Sequence, residues 1–506
     1  MFLKAGALSL SLLLASRLLG LLRESAQAAA FGTSGMGDVA VLMLTLPDWL
    51  TGVLASGALA YVLLPHWAGQ NPAQQAQTQR RVANWLLGLG ALIGLLLCFF
   101  QAPVIHLLAS GLPPRLLPQA AQGLVWSAAA LPAALLAALW VTRLQHEQDF
   151  TGLYAANLVV NGVLIAALYF VANNTLSMGA VGILGLFLWM AMGLRLLWLR
   201  LRLQAYDVKD RVPTGGVTTP VPRAPLWLWA ALSAGLPLAL PFVARSFASS
   251  AGEGALATFN YAWKLVELPL VLAIQLVATL AFPAITRAMA AKSGNADPAQ
   301  ALPHEAISAV RSAFLLAWTL ACAATAALQV GAPAIATLLF GWGRMPPEGL
   351  VTVAAWGAIG AWGLLPQALI AIALTVLAAR GRMHSVVAAY GVALAALLVL
   401  GAWSNGDGAW LMGGLNAVLT VVALVTLLTL RQPGRGAGHS LSLLPWQAMA
   451  APTVMLLILA LPAQAGWMTF LEPKSLSALV LCALAAISVV AISYLTSPEL
   501  RAALRR

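Results

Sequence analysis

Residues 5–31 read AGALSLSLLLASRLLGLLRESAQAAAF, an apolar stretch that nevertheless carries two arginines and one glutamate. A membrane-spanning helix needs about 20 apolar residues, so this stretch is long enough to cross a bilayer. Ionisable side chains at mid-helix cost roughly 2.5–3.5 kcal/mol each on insertion scales, and where they occur they indicate function. The stretch therefore predicts a helical membrane protein with charged groups in its interior.

The rest of the chain is also mostly apolar. Of its 506 residues, 61% are hydrophobic and 8% are charged, whereas soluble domains carry about 25% charged residues. This composition excludes a water-soluble protein and a disordered one. Apolar runs bounded by turn residues and charges predict fourteen spans: 5–31, 36–64, 82–109, 122–142, 150–171, 177–199, 226–250, 256–286, 306–330, 349–378, 384–403, 408–430, 446–466 and 475–496.

The distribution of positive charge predicts the orientation of these spans. With the N-terminus inside, 18 lysines and arginines fall in cytoplasmic segments and 3 in outer loops. This asymmetry predicts that both termini are cytoplasmic. The net charge of +12 is thereby explained without nucleic acid as a partner.

Two sets of prolines recur at nearly the same spacing. Pro114 and Pro347 are 233 residues apart, and Pro132 and Pro366 are 234 residues apart. Six spans separate the copies, which predicts a parallel repeat related by an axis along the membrane normal. The predicted fold is an all-α polytopic membrane protein of about 14 transmembrane helices, in two pseudo-symmetric six-helix lobes plus two extra C-terminal helices. The boundaries are an N-lobe at 1–203, a cytoplasmic linker at 204–225, a C-lobe at 226–431 and spans thirteen and fourteen at 446–496.

Six cations lie within or at the edge of spans. Arg195 and Arg311 are near cytoplasmic helix ends, where snorkelling to the interface explains them. The other four are Arg17, Arg23, Arg245 and Lys264, and their acidic companions are Glu24, Asp38, Asp48 and Glu267.

Two interpretations of these charges stay open. One is a set of internal salt bridges, Arg23 with Asp38 and Lys264 with Glu267. The other is a cationic, water-filled cavity between the halves. Arginine suits a diphosphate there, because its planar fork donates two parallel charge-assisted hydrogen bonds.

No motif of the sequence points to catalysis. There is no phosphate-cradling glycine loop, no catalytic triad and no His or Cys cluster at metal-ligand spacing, and the three cysteines lie apart in apolar runs. The sequence therefore predicts a protein that is not an enzyme, with no catalytic residues, no metal and no cofactor.

The first two spans carry a motif that points to a family. Ser16-Arg17-Leu18-Leu19-Gly20-Leu21-Leu22-Arg23-Glu24 is followed by Phe31-Gly32, Asp38 and Leu46-Pro47-Asp48. This resembles the MurJ/MviN family of lipid II flippases, in the multidrug/oligosaccharidyl-lipid/polysaccharide exporter superfamily. The family pattern is Ser-Arg-x-x-Gly-x-x-Arg-Asp/Glu, Phe-Gly, an Asp and Leu-Pro-Asn. The run from Tyr261 to Pro269 is similar to the family's segment in span eight, and the similarity covers spans one to twelve.

The resemblance implies a function and a set of site residues. It implies a monomer in the bacterial cytoplasmic (inner) membrane that carries an undecaprenyl-diphosphate-linked saccharide from the inner to the outer leaflet by alternating access, for peptidoglycan synthesis. Spans thirteen and fourteen would form a hydrophobic groove for the polyprenyl tail. By position, Arg17, Arg23 and Asp38 match the family, and Lys264 stands where the family has arginine. The candidate substrate-binding residues are Arg17, Arg23, Asp38, Arg245, Lys264 and Glu267.

The sequence departs from the family in span two. Where the family has two arginines and a glutamate, this chain has Thr51, Gly52 and Ser56. Arg245 in span seven is extra, and one hypothesis is that it restores part of the lost cationic field.

These departures leave alternatives open. One is a flippase for another lipid-linked polysaccharide unit, and another is a non-transporting scaffold that binds envelope-synthesis proteins. A multidrug antiporter fits less well, because exporters of cationic drugs favour acidic cavities and this one is net basic.

Overall fold

The computed structural model describes residues 2–53, 57–173, 177–207, 224–290, 304–380, 382–430, 443–465 and 475–504. Within these ranges the regular structure is helical throughout. The chain forms two compact units. Unit 1 comprises Met1–Ala257 with Trp342–Pro346, and unit 2 comprises Thr258–Gly341 with Pro347–Arg506.

The described residues of unit 1 form nine helices and the start of a tenth. They are α1 (Phe2–Phe31), α2 (Gly35–Thr51), α3 (Ala58–Ala68), α4 (Pro72–Phe99), α5 (Gln101–Leu108), α6 (Leu117–His146), α7 (Phe150–Ala172), α8 (Ala180–Asp207), α9 (Ala224–Ala248) and α10 (Ala255–Pro269). Helix α6 lies at the centre, where it packs against α2, α4 and α8, and α7 packs against α1 and α8. Helix α9 contacts α3 and so lies in unit 1. The predicted lobe boundaries, which place residues 226–250 in the second lobe, stay a prediction.

Unit 2 continues α10 and adds the remaining helices. They are α11 (Gln275–Ala290), α12 (His304–Phe340), α13 (Pro347–Ala361), α14 (Leu364–Ala379), α15 (His384–Ala402), α16 (Gly408–Thr429), α17 (Trp446–Gln464), α18 (Leu476–Thr496) and α19 (Pro498–Leu504). The long helix α12 packs against α13, α14, α17 and α18. It bends at Gly331, whose backbone is non-helical there. A Cβ at this glycine would lie 1.8 Å from Cys482 Sγ, so glycine is what lets α18 approach α12 closely.

Side chains of the connecting segments determine where several helices begin. Asn71 Oδ1 accepts a hydrogen bond from Gln74 N at 2.9 Å, and Gln74 Oε1 accepts one from Asn71 N at 3.1 Å, which forms a capping box at the start of α4. Asp149 accepts from Gly152 N at 2.9 Å at the start of α7. These caps satisfy amide groups that a helix leaves free in its first turn.

The described helices confirm a multi-pass membrane protein. Eleven of them are long and apolar enough to cross a membrane, or twelve if the bent pair α13 and α14 is one span. The predicted spans 5–31 and 36–64 fall on α1 and on α2 with α3. The count of fourteen and the inward position of both termini stay predictions, and most of the predicted linker, residues 208–223, lies outside the described residues.

The surface of these helices is apolar, as a lipid-facing surface must be. Large side chains such as Phe99, Leu107 and Trp403 are 81%, 72% and 73% exposed. A soluble protein rarely exposes contiguous apolar surface of this kind, because water disfavours it.

Candidate functional site

The site of unit 1 begins with a break in α2. Pro47 lies inside this helix and has no N–H, so it leaves the carbonyl of Met43 without its helical partner. Ser127 of α6 donates its hydroxyl to this carbonyl at 2.6 Å. A neighbouring helix thereby satisfies the group that the proline frees, which is how proline is tolerated in spanning helices. The charged cluster forms at the residues that follow this break, Asp48 and Trp49.

Arg23 of α1 is the centre of that cluster. Its Nη2 donates to Glu24 Oε1 at 2.8 Å and its Nη1 to Asp48 Oδ2 at 3.1 Å. The Arg23 and Glu24 side chains are 11% and 3% exposed, whereas the Asp48 side chain is 51% exposed. The Asp48 carboxylate is therefore accessible from outside the protein, whereas the Glu24 carboxylate is buried.

Arg195 of α8 is a further arginine of unit 1. Among the described residues its Nε is buried and has no hydrogen-bond partner. Arg195 lies within α8, twelve residues before its last residue, Asp207, and its interpretation as a snorkelling side chain stays a prediction.

Arg245 of α9 stacks on an aromatic pair. Its guanidinium carbon lies 4.8 Å from the centre of the Phe242 ring, a cation–π contact. Phe242 in turn stacks on Trp49 of α2, with ring centres 4.5 Å apart and planes 17° from parallel. Phe242 thus lies in contact with both Arg245 and Trp49, the residue next to Asp48 on α2.

Arg17, six residues before Arg23 on α1, is exposed. Its charge interacts with Tyr154 of α7, the helix on which α1 packs. A Cβ at Gly20 would lie 3.7 Å from Asn161 Nδ2 of α7, an ordinary van der Waals distance. The spans of unit 1 thus contain four arginines but, within the described residues, only two carboxylates near Arg23, those of Glu24 and Asp48. The arginines are Arg17, Arg23, Arg195 and Arg245.

Asp38 lies apart from the Arg23 cluster. It is 2% exposed, and its carboxylate accepts hydrogen bonds from Gly254 N at 2.7 Å and Ala257 N at 2.8 Å. It therefore caps the backbone that leads into α10. The predicted salt bridge of Arg23 with Asp38 is wrong, because Arg23 donates to Glu24 and Asp48 instead.

The candidate residues of unit 2 lie one turn before a second proline break. Lys264 Nζ lies 2.7 Å from Glu267 Oε2, which confirms the predicted pairing, and the two side chains are 25% and 35% exposed. After Pro269 the chain forms a π-helical segment, Leu270–Ile274, before α11 begins. Such segments are frequent at functional sites. In unit 1, α2 likewise passes into π-helical backbone at Gly52, five residues after Pro47.

Of the three positions at which span two differs from the family pattern, Thr51 and Gly52 lie within the described residues. The Thr51 hydroxyl donates back to the carbonyl of Pro47 in its own helix. A Cβ at Gly52 would lie 3.1 Å from Leu238 Cδ1, so α9 packs tightly at this position. The space near residue 52 is therefore filled by α9. Ser56 lies outside the described residues.

Comparisons with known proteins identify the family. The model of the family described as lipid II flippase MurJ matches residues 27–500 of this chain. The chain belongs to the MurJ family. The resemblance seen in spans one and two is thereby confirmed, and this family is one of transporters.

One relative is the probable lipid II flippase MurJ of Rhizobium meliloti (strain 1021). The two chains are 28% identical over 362 residues, which cover 69% of this chain and 65% of the relative. The match thus spans slightly less than two thirds of the relative's length.

Solved structures confirm the fold. A structure titled lipid II flippase MurJ, inward closed conformation, matches with a TM-score of 0.75 at 14% identity and covers 97% of this chain and 98% of that one. An inward-facing multidrug resistance MATE transporter of the MOP superfamily matches with a TM-score of 0.61 at 15% identity, over 82% and 93% of the two chains. The all-α MurJ fold predicted from the sequence is therefore correct.

Proposed function

We propose that this MurJ-family protein is a flippase that moves a polyprenyl-diphosphate-linked saccharide, lipid II, from the inner to the outer leaflet by alternating access. It performs no bond chemistry and takes no cofactor. The observation that carries the proposal is the arginine cluster of unit 1. Arg23 is embedded among apolar helices, yet the carboxylate it holds, Asp48, is half exposed. Buried arginines with an accessible counter-ion suit an anionic headgroup in transit.

The substrate-binding residues are proposed on the same grounds. Arg17, Arg23 and Arg245 supply positive charge in unit 1, and Lys264 with Glu267 supplies a polar pair in unit 2. Arginine suits the diphosphate because it donates bidentate, charge-assisted hydrogen bonds. Asp38 acts as a positioning residue, since backbone amides already occupy both of its oxygens.

The charge asymmetry of the loops supports a placement in the inner membrane with both termini cytoplasmic. We propose that the protein works there as a monomer. Helices α17 and α18, which pack on α12, supply an apolar surface for the polyprenyl tail.

Complementation tests the proposal. A strain depleted of its own lipid II flippase receives the wild type, Arg23→Ala, or Arg80→Ala as a matched control at a cytoplasmic position of α4. Rescue by the wild type and by Arg80→Ala, with failure of a normally expressed Arg23→Ala, is the expected result. Failure of a well-expressed wild type would overturn lipid II as the cargo.

One observation favours a cargo other than lipid II. Thr51 and Gly52 stand where the family has arginines, and the packing of Leu238 leaves little space beside Gly52. A flippase for another lipid-linked saccharide fits such a change. In that case the wild type fails to rescue lipid II transport, while the purified protein still binds undecaprenyl diphosphate through Arg23.

A further inference from the structure

Helix α7 carries three polar side chains on one face. Tyr154 and Asn157 are three residues apart, and Asn161 follows four residues later. At about 100° of rotation per residue, the three side chains fall within an arc of about 60°. This helix is long and apolar enough to cross a membrane. Polar groups at such depth are costly, and where they occur they face the protein interior or a water-filled cavity.

This polar face is turned toward α1. The two helices pack against each other, and a Cβ at Gly20 of α1 would lie 3.7 Å from Asn161 Nδ2. They are the first and the fifth predicted spans, so they run in the same direction. Arg17, three residues before Gly20, therefore lies on the same face of α1 and at about the level of Asn157. The interaction of Arg17 with Tyr154 agrees with this alignment of the helices.

The polar groups of this face are available to a ligand. All three side chains are partly exposed. Within the part of the chain that the structure describes, none of them forms a hydrogen bond with another residue, and none of their polar atoms is buried without one. Asparagines that join spanning helices hydrogen-bond across the helix interface. Asn157 and Asn161 form no such bond, which indicates a role other than holding α7 to α1.

The chemistry of this face suits an uncharged group rich in hydroxyls. Each asparagine amide supplies two donors and one acceptor oxygen, and the Tyr154 hydroxyl both donates and accepts. Sugar hydroxyls bind to such groups, and the Tyr154 ring offers an apolar surface beside them. In a lipid-linked saccharide the first sugar is covalently joined to the diphosphate. A sugar subsite must therefore lie next to the cation that binds the diphosphate, as this face lies next to Arg17.

We propose that Tyr154, Asn157 and Asn161 form a subsite for the saccharide of lipid II, beside Arg17, which binds the diphosphate. The inference rests on the proposed function and adds recognition of the sugar to recognition of the charge. Lipid II and undecaprenyl diphosphate have the same tail and the same diphosphate, so arginines alone do not distinguish them. The subsite distinguishes the loaded carrier lipid from the bare one, whose movement would deliver no building block to the outer leaflet.

Binding to the purified full chain in nanodiscs tests this. One probe is undecaprenyl diphosphate, and the other is undecaprenyl diphosphate that carries the disaccharide of lipid II without its peptide, so that the two differ in the saccharide alone. The variants are Asn157→Ala, Asn161→Ala and Tyr154→Phe. The matched controls are Asn173→Ala and Tyr169→Phe, whose exposed side chains lie at the far end of the same helix.

Asn157→Ala and Asn161→Ala are each expected to weaken binding of the disaccharide lipid about two- to tenfold, as the loss of one hydrogen bond does. Binding of undecaprenyl diphosphate stays unchanged, and the controls change neither affinity. Tyr154→Phe gives a smaller loss, because it keeps the ring. Arg17→Gln weakens both lipids alike, because it acts on their common diphosphate. Asparagines with a merely structural role would instead lower the melting temperature and weaken both lipids equally when replaced.

Two outcomes overturn the inference and leave the proposed function standing. One is a wild type that binds the disaccharide lipid no more tightly than undecaprenyl diphosphate, while Arg17→Gln weakens both. The other is a pair of asparagine variants that weaken both lipids equally or neither of them. Should Asn161→Ala fail to fold, Asn157→Ala and Tyr154→Phe decide in the same way. If the wild type binds neither lipid better than undecaprenol, which has the tail and no charge, the proposed function fails together with the inference.

Discussion

The hydroxyl of Ser127 on α6 donates a hydrogen bond to the backbone carbonyl of Met43 on α2 at 2.6 Å. Pro47 deprives this carbonyl of its helical partner, so the bond joins two helices at the break that precedes Asp48. Ser127 also donates to Gly123 O in its own helix at 2.9 Å. The site of unit 1 therefore depends on a side chain that carries no charge.

Replacing Ser127 by alanine is expected to destabilise the protein. The Met43 carbonyl would remain buried without a partner, which costs about 1–3 kcal/mol. The melting temperature of the purified protein measures this. Ser493→Ala is the matched control, because this buried serine donates only to Val489 O of its own helix, which keeps its backbone partner. Equal losses in the two variants would contradict the role given to the bond between helices.

The carboxylate of Asp38 is expected to act through backbone geometry. Asp38→Ala removes both hydrogen bonds to Gly254 N and Ala257 N, whereas Asp38→Asn keeps one acceptor oxygen. The expected order of melting temperatures is wild type, Asp38→Asn, Asp38→Ala, with about 1–3 kcal/mol lost for each unsatisfied group. A fully stable Asp38→Asn that no longer binds undecaprenyl diphosphate would show instead that Asp38 contacts the substrate.

A charge exchange separates the two interpretations of Lys264. Its ammonium pairs with Glu267 at 2.7 Å. The double variant Lys264→Glu, Glu267→Lys keeps an ion pair on the same helix face but reverses its polarity. We expect it to restore the expression lost in the single variants and to leave transport impaired, because the cation has moved by one turn. Full rescue in the complementation assay would assign the pair a structural role only.

Arg245 is expected to contribute positive charge next to α2. Arg245→Ala removes the cation over Phe242 and should reduce transport, whereas Arg245→Lys keeps a cation–π contact worth about 0.5–2 kcal/mol and should retain more of it. Complementation at matched expression measures both. Unchanged transport in Arg245→Ala, when Arg17→Ala abolishes it, would exclude Arg245 from the site.

Two glycines of α4 are expected to respond oppositely to alanine. A Cβ at Gly90 would lie 2.9 Å from Pro132 Cα of α6, while a Cβ at Gly88 would meet nothing within 4 Å. Alanine improves helix propensity at both positions by about 0.5–1 kcal/mol. Gly88→Ala should therefore stabilise the protein, and Gly90→Ala should destabilise it by forcing α4 and α6 apart. Melting temperatures that rise together would show that these helices pack less tightly.

The fold class could be read from the sequence because the bilayer restricts it. A chain that is 61% hydrophobic and 8% charged must bury its backbone polar groups in spanning helices. The motif from Ser16 to Glu24 identified the family, and the spacing of Lys264 and Glu267 predicted their ion pair, because both are local patterns on one helix.

Only the tertiary structure shows which residues make up the site. Arg23 is followed by Asp38 after 15 residues and by Asp48 after 25. Only the packing of α2 shows that Arg23 contacts the more distant Asp48, while Asp38 accepts from Gly254 N. The sequence placed Arg195 near the end of a span, whereas α8 continues to Asp207. The direction of a side chain depends on which helix lies opposite it, and periodicity within one span contains no information on its neighbours.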